Sequence, residues 1–96
     1  MSISINEFLK LNKKNNIIDI RSVEKYNFNH LPYATHIPYE KLIIDPNKYL
    51  KKNEFYYIYC QQGIATKKVC SMLSKQGFKL VNIIGGYEAY ILEGNI

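Results

Sequence analysis

The chain has no tryptophan, and it has two cysteines, two histidines, two methionines, three prolines and a single arginine, Arg21, among its thirteen basic residues. Each scarcity excludes something. If the segment after Cys60 is helical, Cys70 stands about 15 Å further along it at ~1.5 Å per residue, beyond the Cα separation a disulfide spans. Together with His30 and His36, the two cysteines show no C-x-x-C or H-x-x-x-H spacing, so no disulfide scaffold, zinc site or other metal is expected. No apolar run approaches the ~20 residues of a membrane span. The opening Met1-Ser2-Ile3-Ser4-Ile5-Asn6-Glu7 lacks the basic and apolar regions of a signal peptide, so the expectation is a cytoplasmic protein with no membrane role. The net charge of +5 is nearly all lysine, dispersed as Lys13-Lys14, Lys51-Lys52 and Lys67-Lys68 among acids. A nucleic-acid site would concentrate such charge in a stripe or a reading module, so none is expected. Attraction for small anions or an acidic protein partner is the milder inference.

What is present suits an ordinary globular protein: 47% hydrophobic, 22% charged, with nine tyrosines and four phenylalanines. Ninety-six residues are expected to form one domain, residues 1–96, with a core that needs no staple. Ser4-Ile5-Asn6-Glu7 is a capping box, with Ile3 and Phe8 as its hydrophobic staple. It predicts a helix from Ile5 to about Asn12 with Ile5, Phe8, Leu9 and Leu11 as its apolar side, and Ile3 suits a very short first strand. Ile17-Ile18-Asp19-Ile20 reads as a buried parallel strand. Ser22 is placed to cap a short helix through Phe28, and Pro32 turns the chain after His30. Thr35-His36-Ile37-Pro38 reads as a brief strand, and Tyr39 to Tyr49 as one or two helical turns around Pro46. Phe55 to Tyr59 has the strongest strand composition. From Thr66 the period becomes helical, with Val69, Cys70, Met72, Leu73 and Gln76 on or near one face and Gly77 as C-cap. Leu80 to Ile84 is a further strand, and Gly85-Gly86 leads into a last helix from Tyr87 to Leu92, ended by Gly94.

Strands alternating with short helices predict one α/β domain with a mainly parallel sheet. Ligands of such sheets sit beyond the carboxyl ends of the strands, where Asp19 with Arg21, Cys60, and Gly85 all fall. Cys60 draws the most attention. A thiol between a strand's carboxyl end and a helix's amino end faces free N–H groups and the positive end of the helix dipole, which favour a thiolate. The other reading is a structural cysteine that closes a core strand.

The motifs favour the first reading. Asp19-Ile20-Arg21, Glu24-Lys25-Tyr26 with His30-Leu31-Pro32-Tyr33-Ala34, His36-Ile37-Pro38, Cys60-Gln61-Gln62-Gly63 with Thr66, and Gly85-Gly86-Tyr87-Glu88-Ala89-Tyr90 follow one another in the order and spacing of a known family. The chain resembles the single-domain rhodaneses, or sulfurtransferases. The resemblance implies a rhodanese-like domain with a five-stranded, mainly parallel sheet and helices on both faces, and no cofactor. It implies that Cys60 takes sulfane sulfur as a persulfide from thiosulfate or from a protein or small-molecule persulfide. The sulfur then passes to a thiol acceptor, which includes a sulfur-relay protein among the candidates. Gln61, Gln62, Gly63, Ile64, Ala65 and Thr66 would form the loop that cradles the persulfide anion, its consecutive N–H groups making an anion nest. Asp19, Arg21 and His30 are the pocket-supporting candidates, Asp19 and Arg21 as an ion pair and His30 as a hydrogen-bonded packing residue.

One departure bears on the chemistry. Ala65, five residues after Cys60, stands where the family usually carries an arginine. Losing one charged hydrogen-bonding partner at ~1.5–3 kcal/mol should weaken an oxyanion donor roughly ten- to a hundredfold. Lys67 is the candidate to restore some of the positive potential. Asn29, Tyr33 and Tyr90 are lesser departures that touch loop shape. The alternatives are a weak or inactive rhodanese module that binds a protein partner or an anion, and a cysteine-loop phosphatase, which would need an arginine on the phosphoryl oxygens. Cys70 reads as core, with a resolving thiol as the other option.

Overall fold

A computed structural model of the chain describes residues 1–93. The elements alternate as β1 (Ser2–Ile3), α1 (Ile5–Lys10), β2 (Ile17–Asp19), α2 (Val23–Phe28), β3 (Thr35–His36), α3 (Tyr39–Ile44), α4 (Pro46–Tyr49), β4 (Phe55–Tyr59), α5 (Ile64–Ser74), β5 (Lys79–Ile83) and α6 (Gly86–Leu92). The strands form one sheet in the order β1-β5-β4-β2-β3, and every neighbouring pair is parallel. The α/β expectation holds, including the five strands and the helices on both faces.

Period-two alternation divides the strand residues between two cores. Ile18, Ile20, Ile58 and Cys60 point to one side, where they meet Leu42 of α3 and Val69 and Leu73 of α5. Ile17, Tyr59 and Ile83 point to the other, against Ile5 and Phe8 of α1 and Tyr87 of α6. Burying side chains of this size contributes roughly 1.5–3 kcal/mol each, and truncating the fully buried Leu42 or Ile58 to alanine would cost about 2–5 kcal/mol.

Local signals explain most boundaries. Ser4 accepts from the Glu7 N–H at 3.1 Å, and its hydroxyl donates to the Glu7 carboxylate at 3.0 Å. Ser22 accepts from the Lys25 N–H at 3.3 Å and opens α2. Four expectations are corrected. Helix α1 stops at Lys10, and Asn12 takes a positive φ of 50°, so Leu11 is exposed rather than core-facing. Helix α5 starts at Ile64, two residues before Thr66, because Gly63 already terminates the preceding loop. Met72 faces solvent; the buried stripe of α5 is Thr66, Val69, Cys70 and Leu73. The cap of α5 is Lys75 rather than the expected Gly77, which takes φ 95° two residues further on, where the Phe78 N–H reaches back to the Leu73 carbonyl at 3.1 Å. Gly94, the expected end of the last helix, lies outside the described residues.

Candidate active site

Strand β4 ends at Tyr59, and the next residue, Cys60, sits on the carboxyl edge of the sheet. Gly63 then adopts φ 87°, a left-handed conformation that side chains other than glycine's disfavour, and a Cβ there would stand 2.9 Å from the Gly85 nitrogen. This turn aims the Gly63 N–H at Cys60 Sγ, 3.1 Å away. The loop is held from below by the first turn of α6: the Tyr87 N–H donates to the Cys60 carbonyl at 2.8 Å and the Glu88 N–H to the Gln61 carbonyl at 3.0 Å. Gly86 makes that approach feasible, since its missing Cβ would collide with the Cys60 carbonyl.

Burial would push the Cys60 thiol up, as it does for any thiol taken out of water. The hydroxyl and N–H of Thr66 and the N–H groups of Gly63 and Gln62 outweigh it, and the net shift is downward. The thiolate is therefore favoured by the Thr66 hydroxyl together with donors fixed in the backbone. The Thr66 hydroxyl has one proton and two claimants. Asn82 Oδ1, on β5, takes it at 2.5 Å, while Cys60 Sγ lies 3.5 Å from Thr66 Oγ1. As a thiol, Cys60 donates to Thr66; as a thiolate, it receives the proton only when Thr66 turns away from Asn82. All three side chains are buried.

Asp19 and Arg21 do form the expected ion pair, at 2.8 Å. The carboxylate also accepts from Arg21 Nε and from the Arg21 N–H. The guanidinium lies 4.0 Å from the centre of the Tyr87 ring, donates to the Asn29 carbonyl at 2.6 Å and reaches Gln61 Oε1 at 3.3 Å. Burial alone would lower the Arg21 pKa, but the Asp19 carboxylate more than offsets it. Arg21 thus joins β2 to the active loop while its charge is largely committed. His30 does not line the cavity. Its ring stacks on Tyr26 at 3.9 Å and its Nδ1–H donates to the Tyr26 carbonyl, so it braces α2 from behind. His36, which carried no role in the sequence reading, donates from Nε2 to the Arg21 carbonyl at 2.7 Å.

Cys60 opens onto a cavity of about 750 Å³. Ile20, Tyr39, Ile64 and Ala65 give it an apolar wall; Gln61 and Gln62 lie beside the thiol. Its charged groups are Arg21, Lys25 and Lys68 against Glu88. Lys67 is not among them. It borders a separate hollow with Cys70, Ser71 and Asn82, because one residue along a helix turns the side chain by about 100°. Lys68, three residues after Ala65 and hence on the same helix face, is the lysine of α5 that reaches the cavity. Among the described residues, no three His, Cys, Asp or Glu side chains converge as a metal site would require.

A thiol set among N–H donors at the carboxyl edge of a parallel sheet defines a cysteine-loop α/β protein. Comparison with known proteins names the family. The model of the rhodanese-like domain matches residues 4–93, and the chain belongs to that family. It is 35% identical over 91 residues to a thiosulfate sulfurtransferase, GlpE, of Coxiella burnetii, covering 92% of this chain and 84% of that one. It is also 35% identical over 72 residues to YrkF of Bacillus subtilis, provisionally named a sulfur carrier protein. That match covers 74% of this chain and only 38% of YrkF. Among solved structures, a rhodanese-like domain protein of Staphylococcus aureus superposes with a TM-score of 0.84 at 34% identity, covering 93% of this chain and 89% of that one.

Proposed function

We propose that the protein is a sulfur carrier of the sulfurtransferase kind in which Cys60 is the nucleophile. The Cys60 thiolate attacks the outer sulfur of a donor. A bond forms from Sγ to that sulfur, the donor's sulfur–sulfur bond breaks, and its electron pair leaves with the donor, as sulfite from thiosulfate or as a thiolate from an organic persulfide. The persulfide on Cys60 then yields its terminal sulfur to a thiol acceptor. The observation that carries this reading is the Gly63 N–H at 3.1 Å from Sγ in a loop whose donors hold the thiol below its usual pKa. The same loop donors suit a persulfide anion, with charge-assisted bonds of ~1.5–3 kcal/mol each.

Thiosulfate is a poor donor in this reading. Its oxygens would find Ala65 where an arginine fork would stand, and Arg21 is engaged by Asp19. Phosphoryl transfer is disfavoured on the same ground. The test is intact mass after incubation with thiosulfate and, separately, with a cysteine persulfide donor. A gain of one sulfur from the organic donor, absent in Cys60→Ser, is expected; no gain from either donor overturns it. Ala65→Arg should raise loading from thiosulfate roughly ten- to a hundredfold. The second reading, a module that binds a partner or an anion without turnover, is favoured by Ala65 and would be left standing by the absence of any adduct.

A further inference from the structure

Lys67, which does not reach the cavity over Cys60, borders a second hollow between α5 and the neighbouring strands β1 and β5. Lys67, Ser71 and Ser74 stand four and three residues apart, so one face of α5 carries all three to it. Across from them is Asn82 of β5, only 6% exposed. Its Oδ1 accepts from the Thr66 hydroxyl, and among the described residues its Nδ2 has no hydrogen-bond acceptor. A buried amide nitrogen is costly unless it keeps access to water or a ligand, and here the access is the hollow. The side chains around it include one ammonium and no carboxylate. Among the described residues the ion pairs are Arg21 with Asp19 and Lys51 with Glu54, so Lys67 has no acidic partner. The Cys70 thiol beside it, raised to about 11, adds no negative charge. The Ser71 hydroxyl is unspent as well, whereas Ser74 gives its proton to the Ser71 carbonyl at 3.1 Å. At about 200 Å³ the hollow is several times the ~30 Å³ share of a water and below the ~300 Å³ at which sites for drug-sized ligands begin. Its size suits a small ion, and its donors suit an anion.

We propose that this hollow binds a small divalent oxyanion of the sulfate or phosphate type, and that its occupant damps the reactivity of Cys60. Lys67 supplies the charge, while Asn82 Nδ2 and the Ser71 hydroxyl donate the hydrogen bonds. Asn82 is also the link to the thiol. An oxyanion that draws on the Nδ2–H makes Oδ1 a stronger acceptor, and Oδ1 already holds the Thr66 proton at 2.5 Å. Thr66 is then kept from turning its hydroxyl to Cys60 Sγ, 3.5 Å from Oγ1. The charge of the anion opposes a nearby thiolate in the same direction. By reciprocity, a negative charge on Cys60 weakens the hold on the oxyanion. No covalent bond is made or broken, and the site stands whether or not Cys60 carries sulfur.

The test titrates the full chain with sodium sulfate, with sodium chloride at equal ionic strength as the control. Two signals are read: the side-chain amide resonance of Asn82 by NMR, and the rate of Cys60 alkylation by iodoacetamide at a pH below its midpoint. Lys67 is exposed, so Lys67→Gln and the charge-reversing Lys67→Glu leave the core untouched. In wild type, sulfate should shift the Asn82 resonance saturably and slow Cys60 alkylation by about two- to tenfold, the span of up to one unit in the thiol's titration. Lys67→Gln should weaken both responses about two- to fivefold, the scale of one exposed charge pair, and Lys67→Glu should abolish them. An Asn82 resonance that does not move, or that moves equally in the Lys67 variants, would overturn the site. Alkylation unchanged at sulfate saturation would overturn its link to Cys60. So would equal slowing in Lys67→Glu, since sulfate would then be acting from the cavity over the thiol.

Discussion

Cys60 and Cys70 are equally withdrawn from water, each 7% exposed, yet their ionisation is pushed in opposite directions. Burial raises Cys70 to about 11, with the neighbouring charge of Cys60 adding to it. Burial acts on Cys60 too, and there the donors of the loop and of Thr66 overturn it. The difference lies in the backbone. Cys70 is in the middle of α5, where each N–H is spent on the carbonyl a turn behind. Cys60 precedes α5, whose first N–H groups have no partner within the helix. Exposure alone would have ranked these thiols as equals; the position of each along a helix separates them.

Gly63 offers the largest way to break the contrast. Gly63→Ala must hold an alanine at φ 87° with its Cβ against Gly85, so stability to urea should fall by about 1–3 kcal/mol. The Cys60 titration, followed by alkylation rate, should move up while that of Cys70 stays. An unchanged stability would mean that the loop relaxes without the left-handed turn.

Thr66 and Asn82 sharpen the contrast more finely. Thr66→Val removes a donor and should shift the Cys60 titration upward. Asn82→Ala frees the Thr66 proton and should shift it downward, although losing a buried hydrogen bond costs either variant about 1–3 kcal/mol of stability. Shifts of the same sign would show that Asn82 does not compete for that proton.

A smaller effect is expected on the alkaline side. The folded-state pKa of Cys70 lies above its unfolded value, so between about 9 and 11 the unfolded chain releases a proton that the folded chain keeps. Stability contributed by protonated Cys70 is therefore full below that window and lost as pH rises through it. Chemical denaturation across the window should show a shallower decline in Cys70→Ala than in wild type; identical slopes would contradict it.

Much of the fold was legible because its signals are local. Ser4 with Glu7, Ser22, and the aromatic run of β4 each carry their own reason within a few residues. The cysteine, the glycine and the threonine of the loop were legible through their motif. What escaped depends on register and rotation. Asn82 lies sixteen residues from Thr66, and only the placement of β5 beside β4 joins them. The choice between Lys67 and Lys68 turns on a single step around a helix whose start the composition put two residues late. Met72 shares the apolar character of its neighbours, and only packing against β5 decides which of them are covered.

In the proposed function it is the loop, and not exposure, that makes Cys60 the reactive thiol. Alkylation by iodoacetamide as a function of pH, resolved by peptide mass into the two cysteines, tests it most directly. The account predicts that Cys60 is modified with a midpoint below the usual thiol range, while Cys70 stays unmodified until the pH nears its raised value of about 11. Two thiols titrating together, or a Cys60 midpoint above the usual range, would contradict it.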